Sequence, residues 1–353
     1  MVEQDMGKWL LATALVGVVG AGWLWQRRRQ DLSGKVVLIT GGSRGLGYLL
    51  AQEFARQGCR LAICARDEAE LERARYRLSL AGAEVITTLC DIGDQRQVER
   101  WVRLSLERFG QIDILVNNAG IIQVGPLETM TRQDFAKALD VMFWGGLHTT
   151  LAVLPPMQQQ GAGQIVNITS IGGKVSVPHL LPYNCAKAAF ISLSEGLRAE
   201  LQPHGISVLT VVPGLMRTGS HLNAFFNGQQ ANEFTWFSLG ASLPLLSMNA
   251  ERAAKQIVAA TKKRETEVIL TIPANLLARF HGVFPGLTTE IISLVARLLL
   301  PSADGAGRET TPGMKIRQEL SSSRQRVLDS LTTLGNQAAA RYNQYPGPVS
   351  VLE

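Results

Sequence analysis

Cysteine is scarce in this 353-residue chain: Cys59, Cys64, Cys90 and Cys185 are the only four, and no two form a C-x-x-C pair. Four thiols at such spacings argue against a disulfide-stapled scaffold and against a cysteine-rich zinc site. Cys59, Cys64 and Cys90 fall in or beside predicted strands, where a free thiol behaves as a small buried hydrophobe, and a reducing compartment follows. The five histidines show no ligand spacing either, so no metal is expected. Charge is also sparse, at 18% Asp, Glu, Lys and Arg with a net +6. No basic stripe of the kind that tracks nucleic acid is present, which removes that class of partner. Hydrophobic residues make up 46%, enough to fill a globular core and too many for a disordered chain.

One long stretch lacks charge altogether: WLLATALVGVVGAGWLWQ, residues 9–26. As a helix it would reach about 27 Å, near the thickness of a bilayer core. Trp9 stands at one end and Trp23 and Trp25 at the other, as interfacial aromatics do. Arg27, Arg28 and Arg29 follow, whereas Glu3 and Asp5 precede it. A cleaved signal peptide would carry its basic cluster on the other side. Residues 1–30 are therefore expected to be a single-pass membrane anchor, with everything after the arginines on the cytoplasmic side.

From Asp31 the pattern alternates. Apolar runs at 35–40, 60–65, 84–91, 112–118, 163–170, 206–213 and 267–273 read as strands. Helical spacing fills the gaps at 46–58, 67–82, 94–110, 131–158, 183–201 and 250–262. Seven such strands imply an α/β fold with a doubly wound parallel sheet, spanning residues 31–273. Ligands of such a sheet bind beyond the carboxyl ends of its strands, where the strand order reverses.

The turn after the first strand is TGGSRGLG, residues 40–47. Gly41 permits a tight exit from the strand, and Gly45 and Gly47 let backbone approach a diphosphate at the helix N-terminus. Ser43, Arg44 and Leu46 complete the loop. The second strand ends in Ala65 and Arg66, with no carboxylate at its tip, although Asp67 and Glu68 follow at once. Arg44 and Arg66 suit a ribose 2′-phosphate, hence NADP(H).

With these residues in view, the chain resembles the short-chain dehydrogenase/reductase family over residues 34–272. The glycine motif is matched by Thr40, Gly41, Gly45 and Gly47, and the acidic residue near the adenine by Asp91. Asn117, Asn118, Ala119 and Gly120 match its N-N-A-G motif, and Pro213, Gly214 and Thr218 its P-G motif, and the resemblance implies that all of these except Asn117 line the cofactor. Ser170, Tyr183 and Lys187 match its catalytic serine and Y-x-x-x-K pair. The resemblance implies that Tyr183 gives a proton to a substrate carbonyl, tuned downward by the Lys187 ammonium, while Ser170 orients the substrate oxygen. Lys187 would also hold the nicotinamide ribose. Dimers or tetramers are common in the family.

The segment 214–249 covers the substrate in such folds. Its Phe225, Phe226, Phe234, Trp236 and Phe237 either line an apolar pocket or pack the segment onto the core. His179 reads as a surface-loop residue or a pocket rim. Residues 274–300 are apolar but broken by Arg279, Pro285, Gly286, Glu290 and Arg297, which fits a helix pair on a membrane or over the site mouth, or ordinary core helices. Residues 301–353 read as a polar tail, with a linker at 301–313, a helix near 315–341 and a loose end. The leading function is reduction of a lipophilic ketone or aldehyde, or oxidation of the alcohol. The alternatives are a non-catalytic NADP(H) sensor or scaffold and a fatty-acyl β-ketoreductase.

One position departs from the family pattern. Met142, in VMFWGG, stands where an asparagine holds a water of the proton relay. A thioether donates no hydrogen bond. The chain is expected to be a slowed but real enzyme. Met142→Asn should raise turnover in a steady-state assay; an unchanged rate would mean that the relay is already compensated.

Overall fold

The computed structural model describes residues 30–244, 246–303 and 307–345. The expected anchor, 9–26 with Arg27–Arg29, lies outside them. Among the described residues no helix is long and apolar enough to cross a membrane.

All seven expected strands form, and they make one parallel sheet. The elements run β1 (Val36–Thr40), α1 (Gly45–Arg56), β2 (Arg60–Ala65), α2 (Glu68–Leu80), β3 (Val85–Leu89), α3 (Gln95–Phe109) and β4 (Ile114–Asn117). They continue through the short β5 (Gln123–Val124), α4 (Arg132–Leu139), α5 (Gly145–Gln160), β6 (Gly163–Ile168), α6 (Ile171–Lys174), α7 (Leu181–Leu201) and β7 (Ile206–Pro213). Next come β8 (Leu215–Arg217), β9 (Phe225–Gly228), α8 (Gln230–Ser242), β10 (Ser247–Asn249), α9 (Ala250–Lys262) and β11 (Glu267–Leu270). The sheet order is β11-β7-β6-β4-β1-β2-β3, so the direction of winding reverses between β1 and β4.

The central strands are buried on both faces, which is why they read as unbroken apolar runs rather than alternations. Every residue of β1 is buried. On one face Val37 and Ile39 pack with Leu50 and Phe54 of α1 and Ile257 of α9. On the other, Val36 and Leu38 pack with Val98 and Trp101 of α3 and Val153 of α5. Asp67, Asp94 and Asn249 cap α2, α3 and α9 through their carboxylate or amide oxygens. A capping box between Thr131 and Asp134 opens α4.

The helix expected over 131–158 is interrupted. Residues Asp140–Trp144 form a π turn that joins α4 to α5 and carries Met142, buried, on the side facing the site. Such turns add one residue to the helix and frequently occur at functional sites.

The C-terminal part departs most from expectation. Residues 274–300 do form a helix pair, α10 (Ile272–Val283) and α11 (Pro285–Leu299). Within 301–353, the described residues 307–345 are not a polar tail attached by a linker. Residues Gly307–Pro312 form β12, antiparallel to β9. Three helices follow where one was expected: α12 (Gly313–Glu319), α13 (Ser322–Leu331) and α14 (Thr333–Arg341). They share a third apolar cluster with the substrate-covering segment, in which Ile316, Leu328 and Ala339 meet Phe226, Phe234 and Phe237. Those three phenylalanines are buried edge to edge, with centroids 5.5 and 5.9 Å apart around Phe226. Of the two roles open to them, the packing role is the one they fill.

Gly219 shows how closely this part is fitted. It sits at φ +78°, and a methyl there would lie 2.4 Å from the Ala339 methyl and 2.5 Å from its Cα. Gly219→Ala should destabilise the fold by about 1–3 kcal/mol, read by denaturant melts. Limited proteolysis should then cut first within 307–345.

Candidate active site

The site is built at the switch point. Thr40, the last residue of β1, accepts through Oγ1 from the Asn118 and Ala119 N–H groups at 2.9 and 3.0 Å. Asn118 Nδ2 donates to the carbonyls of Thr40 and Gly41 at 3.0 and 3.2 Å. Asn118 therefore acts as a strut that sets the nucleotide loop against the end of β4. Asn117 is a strut further in, donating to Asn167 Oδ1 and accepting from Thr149 Oγ1.

The loop fits a dinucleotide. Gly41 and Gly45 take positive φ, at 62° and 57°. A methyl on Gly47 would sit 2.0 Å from the Gly41 carbonyl oxygen, so only glycine lets α1 start this close to the loop. Among the described residues the N–H groups of Leu46 and Gly47 have no backbone partner, whereas Tyr48 N–H already bonds Arg44. Two free N–H groups at a helix start suit a diphosphate. Small residues, Ala119 and Gly120, leave room beyond the loop towards Lys187; a methyl on Gly120 would lie 3.8 Å from Lys187 Nζ.

At the adenosine end the structure adds a carboxylate that the strand-tip rule did not reach. Glu70, in the first turn of α2, is buried. Its Oε1 accepts from Arg44 Nη1 at 2.7 Å and its Oε2 from Ser43 Oγ at 3.1 Å. Arg44 is thus already matched by a negative charge. Arg66 remains exposed, 3.8 Å from Asp91, which also accepts from Gly93 N–H.

At the other end, β6 delivers Ser170 and α7 delivers Tyr183 and Lys187. Ser170 is the N-cap of α6, accepting from Gly172 N–H at 3.1 Å, and its hydroxyl is close enough to the Tyr183 phenol to favour the phenolate. Tyr183 and Lys187 stand one turn apart on the same face of α7. Lys187 Nζ, buried, donates to the Ile168 carbonyl at 2.7 Å. The thioether of Met142 flanks the same spot, 3.4 Å from where a Gly120 methyl would be. Pro213 ends β7, Gly214 follows it, and buried Thr218 comes after with its Oγ1 accepting from Ser220 N–H.

The titration of the pair differs from expectation. Burial pushes the Tyr183 phenol above its ordinary value, opposed only by the Ser170 hydrogen bond. Burial pulls Lys187 down to about 8. The ammonium is directed at a backbone carbonyl, with its Nζ 5.8 Å from the Tyr183 ring centroid, and desolvation outweighs any help it gives the phenolate. The site thus keeps Tyr183 protonated at neutrality, ready to donate.

The loop before α7 is tied to the 214–249 segment by one buried pair. His179, at φ 63°, places Nδ1 2.9 Å from Oε1 of Glu233, a fully buried carboxylate that also accepts from Trp236 Nε1. His179 is therefore half-buried and paired rather than a free surface residue. Nothing in the spacing of His179 and Glu233 signals the pair, because the two are 54 positions apart.

This fold and site define a class: oxidoreductases that hold a nicotinamide cofactor across a parallel sheet and move a proton through a tyrosine. The comparisons make it specific. The family described as "short chain dehydrogenase" matches residues 35–226, and the chain belongs to that family. A "Dehydrogenase/reductase SDR family protein 7-like" from Anopheles gambiae is 35% identical, over 76% of this chain and 89% of that relative. The "11-beta-hydroxysteroid dehydrogenase 1A" of Arabidopsis thaliana is 32% identical, over 81% of each. A solved short-chain dehydrogenase/reductase from Burkholderia phymatum, in complex with NAD, superposes with a TM-score of 0.66 at 26% identity, covering 73% of this chain and 96% of that one.

Lys187 has a measurable cost. Keeping a lysine charged at neutrality when burial has lowered its pKa to about 8 opposes folding by on the order of 3 kcal/mol. The unfolded chain binds the proton more tightly, so stability rises as pH climbs from about 8 towards the ordinary lysine range. Lys187→Met should raise unfolding free energy by about 1–3 kcal/mol at neutral pH and flatten that rise, while abolishing turnover. Denaturant melts at neutral and alkaline pH check it.

Proposed function

We propose that this protein uses NADP(H) to reduce the carbonyl of a lipophilic ketone or aldehyde, or to oxidise the corresponding alcohol, beside a membrane. The observation that carries the reading is Ser170, Tyr183 and Lys187 gathered at the carboxyl end of the sheet, one strand from the nucleotide loop. Bound there, the nicotinamide supplies or accepts hydride. Ser170 hydrogen-bonds the substrate oxygen and orients it, and Tyr183 hands its phenolic proton to that oxygen. Lys187 steadies the negative charge left on Tyr183. A phenol with a raised pKa stays protonated at neutrality, so reduction should hold through neutrality and decline in alkali, while oxidation rises with pH.

Three features support a lipophilic substrate and a membrane setting. The 9–26 segment is uncharged and followed by three arginines. The helix pair α10–α11 leaves large apolar side chains in water, among them Ile272, Leu276, Val283, Leu298 and Leu299, each 63–77% exposed. A bilayer surface is the occupant that suits them, because the anchor would hold the domain against one. Finally, the plant relatives carry hydroxysteroid dehydrogenase names. The anchor is read as single-pass with the catalytic domain cytoplasmic, and the assembly as a homodimer or homotetramer. The NADP(H) preference rests chiefly on Arg66, since Glu70 already matches Arg44. Met142 favours a second reading, a nucleotide sensor without turnover.

The test is NADPH oxidation by the detergent-solubilised full chain over a panel of lipophilic ketones and aldehydes. Tyr183→Phe should lower turnover by about 100-fold or more while leaving NADPH binding intact. Arg66→Ala should raise the KM for NADPH and leave that for NADH unchanged. Binding of NADPH with no turnover on any carbonyl would favour the sensor.

A further inference from the structure

The last described residues, 342–345, lie across the nucleotide loop. The Tyr342 carbonyl accepts from Gly45 N–H at 2.8 Å. Asn343 is buried at φ 60°, in the left-handed region that asparagine tolerates better than most residues. Its Nδ2 donates to the carbonyls of Ser43 and Glu70 at 2.8 and 3.0 Å, and its Oδ1 accepts from Arg73 Nε at 2.8 Å. Gln344, also buried, donates to the Thr218 carbonyl at 3.1 Å. Its Oε1 accepts from Asn223 Nδ2 at 2.7 Å, and Asn223 Oδ1 in turn accepts from Arg44 Nη1 at 3.0 Å.

Two consecutive buried amides thus tie together the loop after β1, the first turns of α2 and the loop after β7. Both side-chain amides are hydrogen-bonded, as a buried polar group must be if it is not to cost stability. Gln344 also stands directly over the loop: a methyl on Gly45 would lie 2.7 Å from its Nε2. The loops after β1 and β7 carry Gly45 and Thr218, two of the positions assigned to the cofactor. A segment that replaced the diphosphate would take the free N–H groups at the start of α1. This one takes only Gly45 N–H and leaves those of Leu46 and Gly47.

We propose that residues 342–344 are a strap that positions the nucleotide loop, and Arg44 through Asn223, and closes over the bound cofactor, so that the C-terminal segment sets how slowly the cofactor leaves. Asn343 and Gln344 are positioning residues, not catalytic ones. The inference rests on the nicotinamide-cofactor reading of the loop.

The experiment compares the full chain with Asn343→Gly, Gln344→Ala, their double variant and a chain ending at Arg341. NADPH and NADH are the probes. Each protein is loaded with reduced cofactor and release is followed by fluorescence after adding excess oxidised cofactor; KM for cofactor and kcat are measured alongside. Asn343→Gly keeps the positive φ and removes only the side-chain bonds, so it isolates the strap if the shortened chain fails to fold. Expected are a release rate at least ten-fold faster in the double variant, a cofactor KM raised in parallel, and a kcat at saturating cofactor within two-fold of wild type or above it. A merely structural role would lower kcat and melting temperature together and leave the release rate alone. Unchanged release, or slower release with tighter binding, would overturn the proposal. If the full chain itself binds neither cofactor, the reading of the loop fails and the strap with it; if the full chain binds and the variants match it, only the strap fails.

Discussion

Everything in this site hangs on the hydrogen bonds that join the ends of β1 and β4. The Thr40 hydroxyl takes two N–H groups from the residues after β4, and Asn118 returns its amide to two carbonyls of the β1 exit. Those bonds fix the gap at which the sheet reverses its winding. The nucleotide loop grows out of one side of that gap and Gly120 out of the other. β6 and α7 then have a fixed frame against which to place Ser170, Tyr183 and Lys187. Asn118, which the motif matches to a cofactor position, is also part of this frame.

The chemistry also depends on a burial that the fold would be more stable without. Lys187 is enclosed with one carbonyl as its hydrogen-bond acceptor, beside a thioether. Enclosure lowers its pKa and raises that of its neighbour Tyr183. The two shifts have the same cause and serve one end, a neutral phenol next to a cation that is held only weakly. In such a pair the phenol keeps its proton through neutrality and has a cation beside it when the proton leaves.

Much of the fold was legible because its strands are buried on both faces and therefore apolar from end to end. The nucleotide loop was legible as a glycine-rich turn after a strand, and Ser170, Tyr183 and Lys187 through the family resemblance, since a tyrosine and a lysine one helical turn apart decide nothing alone. What stayed hidden depends on partners far along the chain. Glu70 lies 26 residues from Arg44, and no rule about strand tips includes it. The 307–345 region is polar in composition, and polarity reads as solvation unless the partners are known. Asn343 and Arg73 bury each other's polar groups across 270 residues, which no window can see. The π turn at Met142 was equally invisible, since one extra residue in a helix leaves no mark on its hydrophobic period.

The strap carries a consequence for how the protein is made. Ser43 leaves the ribosome 300 residues before Asn343, the residue that bonds its carbonyl. The sheet and its helices have their sequence complete well before that, and domains generally fold as units during synthesis. The nucleotide loop nonetheless waits, half-finished, until residues 342–344 emerge. A nascent chain stalled before residue 342 emerges would hold a folded sheet, a formed Ser-Tyr-Lys group and an unfinished nucleotide loop.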